Sequence, residues 1–285
     1  MIRATTFALT LLFAASAAQA QSPEGRLAKI SATNTITIAY RADAMPFSFQ
    51  DDKKQIGGYS IDLCKRVADL IQQQVKAKSM QLKWHRVTTQ SRFEAIVKGQ
   101  ADMECGSSTV TLARMKQVDF SSFIFLETTG LLTKAALGIR SFSDLTGKRI
   151  AVVAGTTNEA AVRKELKERQ LSATVLPFKT RDEAFAALES GKAEAFASDK
   201  LLLIGAAKQA KDQKSLVLLA DDLSFEPYGI ALPRGDADFR LAVNTALAHL
   251  YRSGEIREIY DRWFGMFGEP GMAIKIMVLL GAIPE

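Results

Sequence analysis

The stretch Lys148-Arg149-Ile150-Ala151-Val152-Val153-Ala154-Gly155-Thr156-Thr157-Asn158-Glu159 decides the fold. Its apolar, β-branched run through Ala154 reads as a strand. Gly155 to Asn158 reads as a turn rich in capping side chains, and Glu159 to Arg169 continues with helical spacing. A strand that turns directly into a helix is the repeating unit of an α/β domain with a largely parallel sheet. Downstream, Thr174 to Phe178, Asp182 to Glu189 and Ala193 to Ser198 repeat strand, helix and strand. A further strand at Tyr228 to Leu232 precedes helices at Asp238 to Arg252 and Glu255 to Phe264.

The same rhythm runs through the chain before Lys134. Thr35 to Tyr40 alternates β-branched residues as a strand does. Pro46-Phe47-Ser48-Phe49 and Gly57-Gly58-Tyr59 read as a loop or short hairpin. Ile61, Cys64, Val67, Ala68 and Ile71 then recur at helical spacing, with Ser60 placed to cap the first turn. A strand at Leu82 to Val87, a helix at Arg92 to Lys98 and a short strand at Ala101 to Glu104 complete the unit. Two α/β units of similar length predict two lobes, and without a low-complexity linker any hinge consists of ordinary strand segments. Ligands of open α/β sheets bind at the carboxyl ends of the strands. The loops Arg41–Phe49, Thr88–Arg92, Cys105–Arg114, Gly155–Asn158 and Ser198–Lys200 are therefore expected to line a cleft.

Arg3, the apolar run Phe7 to Ala15 and the small-residue site Ala18-Gln19-Ala20 have the order of a secretory signal peptide. The run is shorter than the roughly 20 apolar residues of a spanning helix. Residues 1–20 are expected to be removed, leaving a soluble chain of about 265 residues, and no cysteine follows closely enough to take a lipid. The C-terminal run Met272 to Ile283, apolar apart from Lys275, is also too short to span and is expected to pack back on the body. The net charge of +6 is dispersed, with no basic-aromatic patch of the kind that binds nucleic acid. Cys64 and Cys105 could pair in an oxidising compartment, and the sequence leaves their distance open. His85 and His249 have no metal-site spacing, so neither metal nor cofactor is expected.

No Gly-x-Ser-x-Gly elbow, His-Glu-x-x-His or phosphate loop is present, and Gly147-Lys148-Arg149 lacks the rest of a Walker loop. The conspicuous groups are polar and unreactive. Gly106-Ser107-Ser108-Thr109 follows a strand and leads to Arg114, offering hydroxyls, N–H groups and a planar guanidinium together. That set suits a carboxylate, although a capped turn with a surface arginine would read the same. Gly155-Thr156-Thr157 at a helix start is a second anion trap, equally unspecific alone.

Taken together, Glu104-Cys105-Gly106-Ser107-Ser108-Thr109, Arg114-x-x-x-Val118-Asp119-Phe120-Ser121, Val152-Val153-Ala154-Gly155-Thr156-Thr157 and Leu188-Glu189-Ser190-Gly191-Lys192-Ala193 resemble the periplasmic substrate-binding proteins of polar amino-acid ABC transporters. The match runs from about Thr35 to Phe264. Thr89-Gln90-Ser91-Arg92 and Tyr40-Arg41 are similar to the glutamate/aspartate branch.

The resemblance implies a bilobed type II fold joined by a two-strand hinge, with crossings near Phe125–Gly130 and Glu226–Ile230. Lobe 1 would comprise residues 25–127 and 228–285, including a C-terminal extension, and lobe 2 residues 128–227. It further implies that Arg114, Ser107 and Thr109 hold an α-carboxylate, helped by Thr157, and that Asp199 receives the α-ammonium. Arg41, Arg92 and Thr89 would meet a side-chain carboxylate. The implied protein is a periplasmic monomer that delivers its amino acid to a membrane ABC permease.

Thr89 stands where the branch often has serine, and Arg181 where it can have histidine, adding charge and length. The cysteine that partners Cys105 in some relatives is replaced by Ile230, which leaves Cys64 as its only candidate. Two other functions fit the same fold. A cyclohexadienyl dehydratase-like enzyme would need a carboxylic acid kept protonated opposite the arginines, and Glu104 and Glu127 are the nearest candidates. A sensor domain would normally continue into a membrane helix. The signal sequence makes one prediction of its own: the intact mass of the exported protein corresponds to a start at Gln21 without lipid, and a retained N-terminus or a lipid-sized increment refutes it.

Overall fold

The computed structural model describes residues 25–284, so the signal sequence lies outside the described residues. It opens with α1 (Gly25–Thr33), which places Arg26 and Lys29 2.9 Å from the fully buried Asp102. Asp102 also accepts from Thr37 N at 2.7 Å, tying α1 to the first strand. That strand, β1 (Thr35–Arg41), is followed by a small antiparallel sheet of β2 (Asp43–Ala44), β3 (Ser48–Gln50) and β4 (Ile56–Gly57). α2 (Tyr59–Gln74) buries Ile61, Cys64, Val67, Ala68 and Ile71, the stripe its spacing predicts. Ser60 is not its cap. The helix begins one residue earlier, with Gly58 at the N-cap at φ 130°, and Ser60 Oγ is buried without a hydrogen-bond partner. Glycine is required at position 58 because a Cβ there would strike the Phe47 carbonyl.

β5 (Gln81–Val87), α3 (Arg92–Val97) and β6 (Met103–Glu104) follow, and β1 pairs parallel with both strands. The chain then enters β7 (Asp119–Lys134), a single 16-residue strand. Beyond it come β8 (Arg149–Val153), α4 (Thr157–Glu168), β9 (Thr174–Phe178), α5 (Arg181–Glu189), β10 (Ala195–Asp199) and α6 (Lys200–Ala207). In β8, Ile150 and Val152 join a core with Leu131 and Val162, while Ala151 and Val153 join another with Leu132, Leu188 and Phe196. A parallel sheet covered on both faces needs an unbroken apolar run, which is what the sequence carries there.

The chain returns through β11 (Leu216–Leu218) and β12 (Phe225–Leu232), both antiparallel to β7. β7 changes its principal partner along its length, pairing with β12 from Asp119 to Thr128 and with β10 from Thr129 to Thr133. The returning chain stays alongside throughout: Leu219 N and Leu223 N donate to Leu131 O and Thr129 O, and Thr129 N donates to Ser224 O. Leu223 belongs to the core with Ile150, whereas Tyr228 belongs to the core with Ile36, Ile61 and Phe125. Two neighbouring strand segments thus carry the chain between two cores.

α7 (Ala237–Ser253) and α8 (Glu255–Phe264) pack on the first core, where Phe47 meets Phe125 and Tyr228 edge-on at centroid distances of 4.9 and 5.1 Å. The C-terminal run forms α9 (Met272–Gly281) and returns to the body through Met277, while Met272, Leu279 and Leu280 face outward. Cys64 on α2 and Cys105 after β6 are joined in a buried disulfide with a Cα–Cα distance of 6.4 Å. It closes a loop with a sequence separation of 41 residues, for which the chain-entropy account gives about 4 kcal/mol of stabilisation. Replacing both cysteines with alanine is therefore expected to lower unfolding stability by about 2–5 kcal/mol, measured by denaturant unfolding extrapolated to water with the slope fitted separately for each protein.

Candidate functional site

The strand ends deliver their polar residues to one region. Arg41 is the last residue of β1, and Arg92 the first of α3, after the loop containing Thr89. Ser107 and Thr109 follow β6, with Arg114 on a short 3₁₀ turn beyond them. Thr156 caps α4, Thr157 begins it, Arg181 begins α5, and Asp199 ends β10 as the N-cap of α6. Arg92 and Arg181 therefore sit at the positive ends of helix dipoles, where a cation is locally unfavourable. A local rule broken twice around one cleft marks function rather than stability.

Arg41 is 1% exposed, and its Nε and Nη2 donate to both carboxylate oxygens of Asp43 at 2.8 Å. Arg181, also buried, has only long contacts, from Nη1 to Asp43 O at 3.3 Å and from Nη2 to Ser198 Oγ at 3.4 Å. The Nε groups of Arg92 and Arg181 are buried without partners. The guanidiniums of Arg92 and Arg114 both lie over the Phe93 ring, at 4.8 and 5.3 Å from its centroid. Burial pushes Arg41 down to about 10, against the opposing charge of Asp43, with Arg181 and Arg92 pushing further. Burial and then Arg114 push Arg92 down to about 10. Burial also lowers Arg114, despite the nearby charges of Glu226, Asp199 and Glu104. Desolvated cations that repel one another and keep unused N–H groups form a site for an anion.

A carboxylate cluster stands on the hinge side. Burial and then Glu226 push Asp199 up to about 6, while Asn158 Nδ2 donates to it at 3.2 Å. Glu127, the cross-strand partner of Glu226, is pushed up to about 8 by burial and then by Asp199. Glu226 accepts from Thr109 Oγ and Thr157 Oγ at 2.6 Å each. The threonine hydroxyl protons expected to meet a ligand carboxylate are thus already given to Glu226. Thr156 is similarly occupied: its hydroxyl donates to Val153 O at 2.7 Å and accepts from Glu159 N at 3.1 Å. Among the described residues, no protein group hydrogen-bonds the side chains of Thr89 or Ser107, although each residue is 7% exposed.

Sequence reasoning missed Phe93 and Glu226. Phe93 had a signal in its place beside Arg92, whereas Glu226 registered only as one end of a crossing segment. Contacts from Gln90 Nε2 to Ala154 O at 3.4 Å and Lys179 O at 3.2 Å join the two sides of the cleft. A cavity of about 530 Å³ shares Asp43 and Arg181 with this cluster and is lined also by Phe49 and Phe185. Among the described residues, no group of three or more His, Cys, Asp or Glu could hold a metal, and no helix is long and apolar enough to cross a membrane.

Residues 36–266 match the bacterial extracellular solute-binding proteins, family 3. This chain belongs to that family. Similar family 3 proteins include the L-glutamate/L-aspartate-binding protein of Pseudomonas aeruginosa, 38% identical over 84% of this chain and 80% of that one. The glutamate/aspartate import solute-binding protein of Escherichia coli is 32% identical over 91% and 87%. A solved ancestral amino acid-binding protein, a precursor of cyclohexadienyl dehydratase, is 30% identical with a TM-score of 0.74, covering 84% of this chain and all of its own. The fold is the bilobed type II architecture, and the family 3 assignment makes the chain a solute-binding protein rather than an enzyme.

Of the two carboxyls weighed for a dehydratase, Glu104 lies near the charges of Arg92 and Arg114, with its Oε1 buried without a partner, and Glu127 does not face them. Glu104 Oε2 accepts from Ser108 Oγ at 2.7 Å, and a Cβ at Gly106 would collide with Glu104 Oε1. Glu127 is raised, but it accepts from Thr128 N and Leu201 N, and its charged neighbours are Asp199 and Lys200 rather than the arginines.

The raised carboxyls set a pH dependence. Glu127 rises from the usual 4.5 to about 8, so between those values the folded chain keeps a proton that the unfolded chain releases. This contribution to stability is complete below pH 4.5 and is lost as pH rises through 8. Asp199 acts in the same direction between its usual 3.8 and about 6. Urea unfolding of the ligand-free protein is expected to show stability falling by a few kcal/mol from pH 5 to 8.5. In Glu127→Gln that fall is expected to shrink; an unchanged slope refutes the assignment.

Proposed function

We propose that this chain is the periplasmic receptor of an ABC uptake system and that its solute is an acidic amino acid, glutamate or aspartate. The observation that carries the reading is the pair of buried, unpartnered Nε groups on Arg92 and Arg181, beside a third cation, Arg114. An α-carboxylate alone would leave much of that charge uncompensated, whereas a second carboxylate on the ligand answers it. The names of the Pseudomonas and Escherichia relatives support the same ligand class. The buried Cys64–Cys105 disulfide supports an oxidising compartment, in keeping with a signal peptide removed after Ala20.

In this reading Arg114 and Ser107 take the α-carboxylate, Asp199 faces the α-ammonium, and Arg92, Thr89 and Arg181 meet the side-chain carboxylate. Arg41 has a supporting role, because Asp43 already holds its guanidinium and Asp43 O receives Arg181. The lobes are residues 25–127 with 228–285 and residues 128–227. They close on the ligand about the β7–β12 crossing, since each contributes only part of the polar set. The closed monomer is the form presented to a membrane permease.

Every amino acid carries an α-carboxylate, so Arg114→Ala is expected to weaken all ligands. Arg92→Ala is expected to weaken glutamate and aspartate while sparing glutamine and asparagine. Removing one partner of a buried charge pair costs about 2–5 kcal/mol, roughly thirty- to several-thousand-fold in affinity. Titration calorimetry with the four ligands reads both effects. Wild-type protein that binds no acidic amino acid, or Arg92→Ala with unchanged affinity for both, overturns the acidic-ligand reading.

A further inference from the structure

Glu226 is the one carboxylate in the cleft surrounded by hydroxyl groups. Its Oε2 lies 2.6 Å from both Thr109 Oγ and Thr157 Oγ, and its Oε1 lies 2.5 Å from Ser224 Oγ and 3.2 Å from Thr129 Oγ. The residue is 1% exposed. A carboxylate only accepts hydrogen bonds, and a threonine hydroxyl has one proton to give. At 2.6 Å to a charged acceptor that proton is committed, so the 3.3 Å approach between the two threonine oxygens brings together two acceptors. The lone pairs left on Thr109 Oγ and Thr157 Oγ can then receive N–H groups but cannot offer a proton to an anion. Thr129, which also accepts from Asn158 Nδ2 at 2.7 Å, connects this cluster to Asp199 through the same amide.

We infer that Glu226 is a positioning residue for the ligand's amino group: by holding the hydroxyl protons of Thr109 and Thr157, it turns both oxygens into acceptors for an ammonium. The inference rests on the amino-acid reading above and refines it. The two hydroxyls leave the carboxylate-binding set and join Asp199, while the α-carboxylate is left to Arg114 and backbone N–H groups. The polarity of the subsite is set from behind, by a side chain that need not touch the ligand. A ligand without an amino group would bury two acceptors and Asp199 unsatisfied, a cost that rejects it.

The test compares glutamate with glutarate, its counterpart lacking the amino group, by direct and displacement calorimetry on wild type, Glu226→Gln and Thr157→Val. Wild type is expected to bind glutamate at least about a hundredfold more tightly than glutarate. In Glu226→Gln the charge is lost whichever way the amide turns, so glutamate is expected to weaken by about ten- to a hundredfold while glutarate stays within about threefold or tightens. Thr157→Val removes one acceptor without touching Glu226 and is expected to shift the ratio in the same direction. A merely structural role would weaken both ligands alike; that result, or an unchanged ratio in both variants, overturns the inference. If wild type binds glutamine but no acidic amino acid, the acidic-ligand reading falls alone, and the same ratio is read on glutamine against its des-amino counterpart. Wild type that binds no amino acid overturns both.

Discussion

Guanidinium groups brought together in a dry site repel one another and forgo their hydration, and the cleft is organised around that cost. Each cation is supported differently. Asp43 clamps Arg41 through both carboxylate oxygens, and the Phe93 ring lies under Arg92 and Arg114 together. Arg181 is held only by two long contacts and retains an unused N–H group. Neutralisation is complete for Arg41 and incomplete for Arg92 and Arg181.

Two of the opposing carboxylates, Glu127 and Glu226, are carried by the strands that cross the hinge. Glu127 and Glu226 are cross-strand neighbours, a pairing that would be unfavourable with both charged. Backbone N–H groups donate to Glu127, and hydroxyls surround Glu226.

Much of this was legible in the sequence where periodicity is local. β9 and α8 coincide with the segments read from alternation and helical spacing, and every residue read into the stripe of α2 is buried, with Tyr59, Ser60 and Leu63 besides. The long β7 was not legible as one strand, because Ser121, Glu127, Thr128 and Gly130 interrupt its pattern where its neighbours change. α1 buries only Ile30 and so has no stripe to detect, and α6 is apolar without a period. The burial of Arg41, Arg92 and Arg181 around one cleft agrees with their reading from strand-end loops. The state of the threonine hydroxyls was not legible, since it depends on Glu226, 117 residues from Thr109 and 69 from Thr157.

β7 is paired with β11 beside one core and with β12 beside the other, and the bonds of Leu219, Leu223 and Ser224 hold the intervening segment against it. A two-stranded ribbon has the mechanics of a flat spring. It flexes across its broad face but resists shear in its own plane, where displacement would break the backbone ladder. Such a joint allows one principal direction of travel and returns the moving parts to the same alignment. The polar groups carried by the two cores, Arg41, Arg92 and Arg114 with the first and Arg181 and Asp199 with the second, would then return to the same register, with no flexible linker to blur their separation.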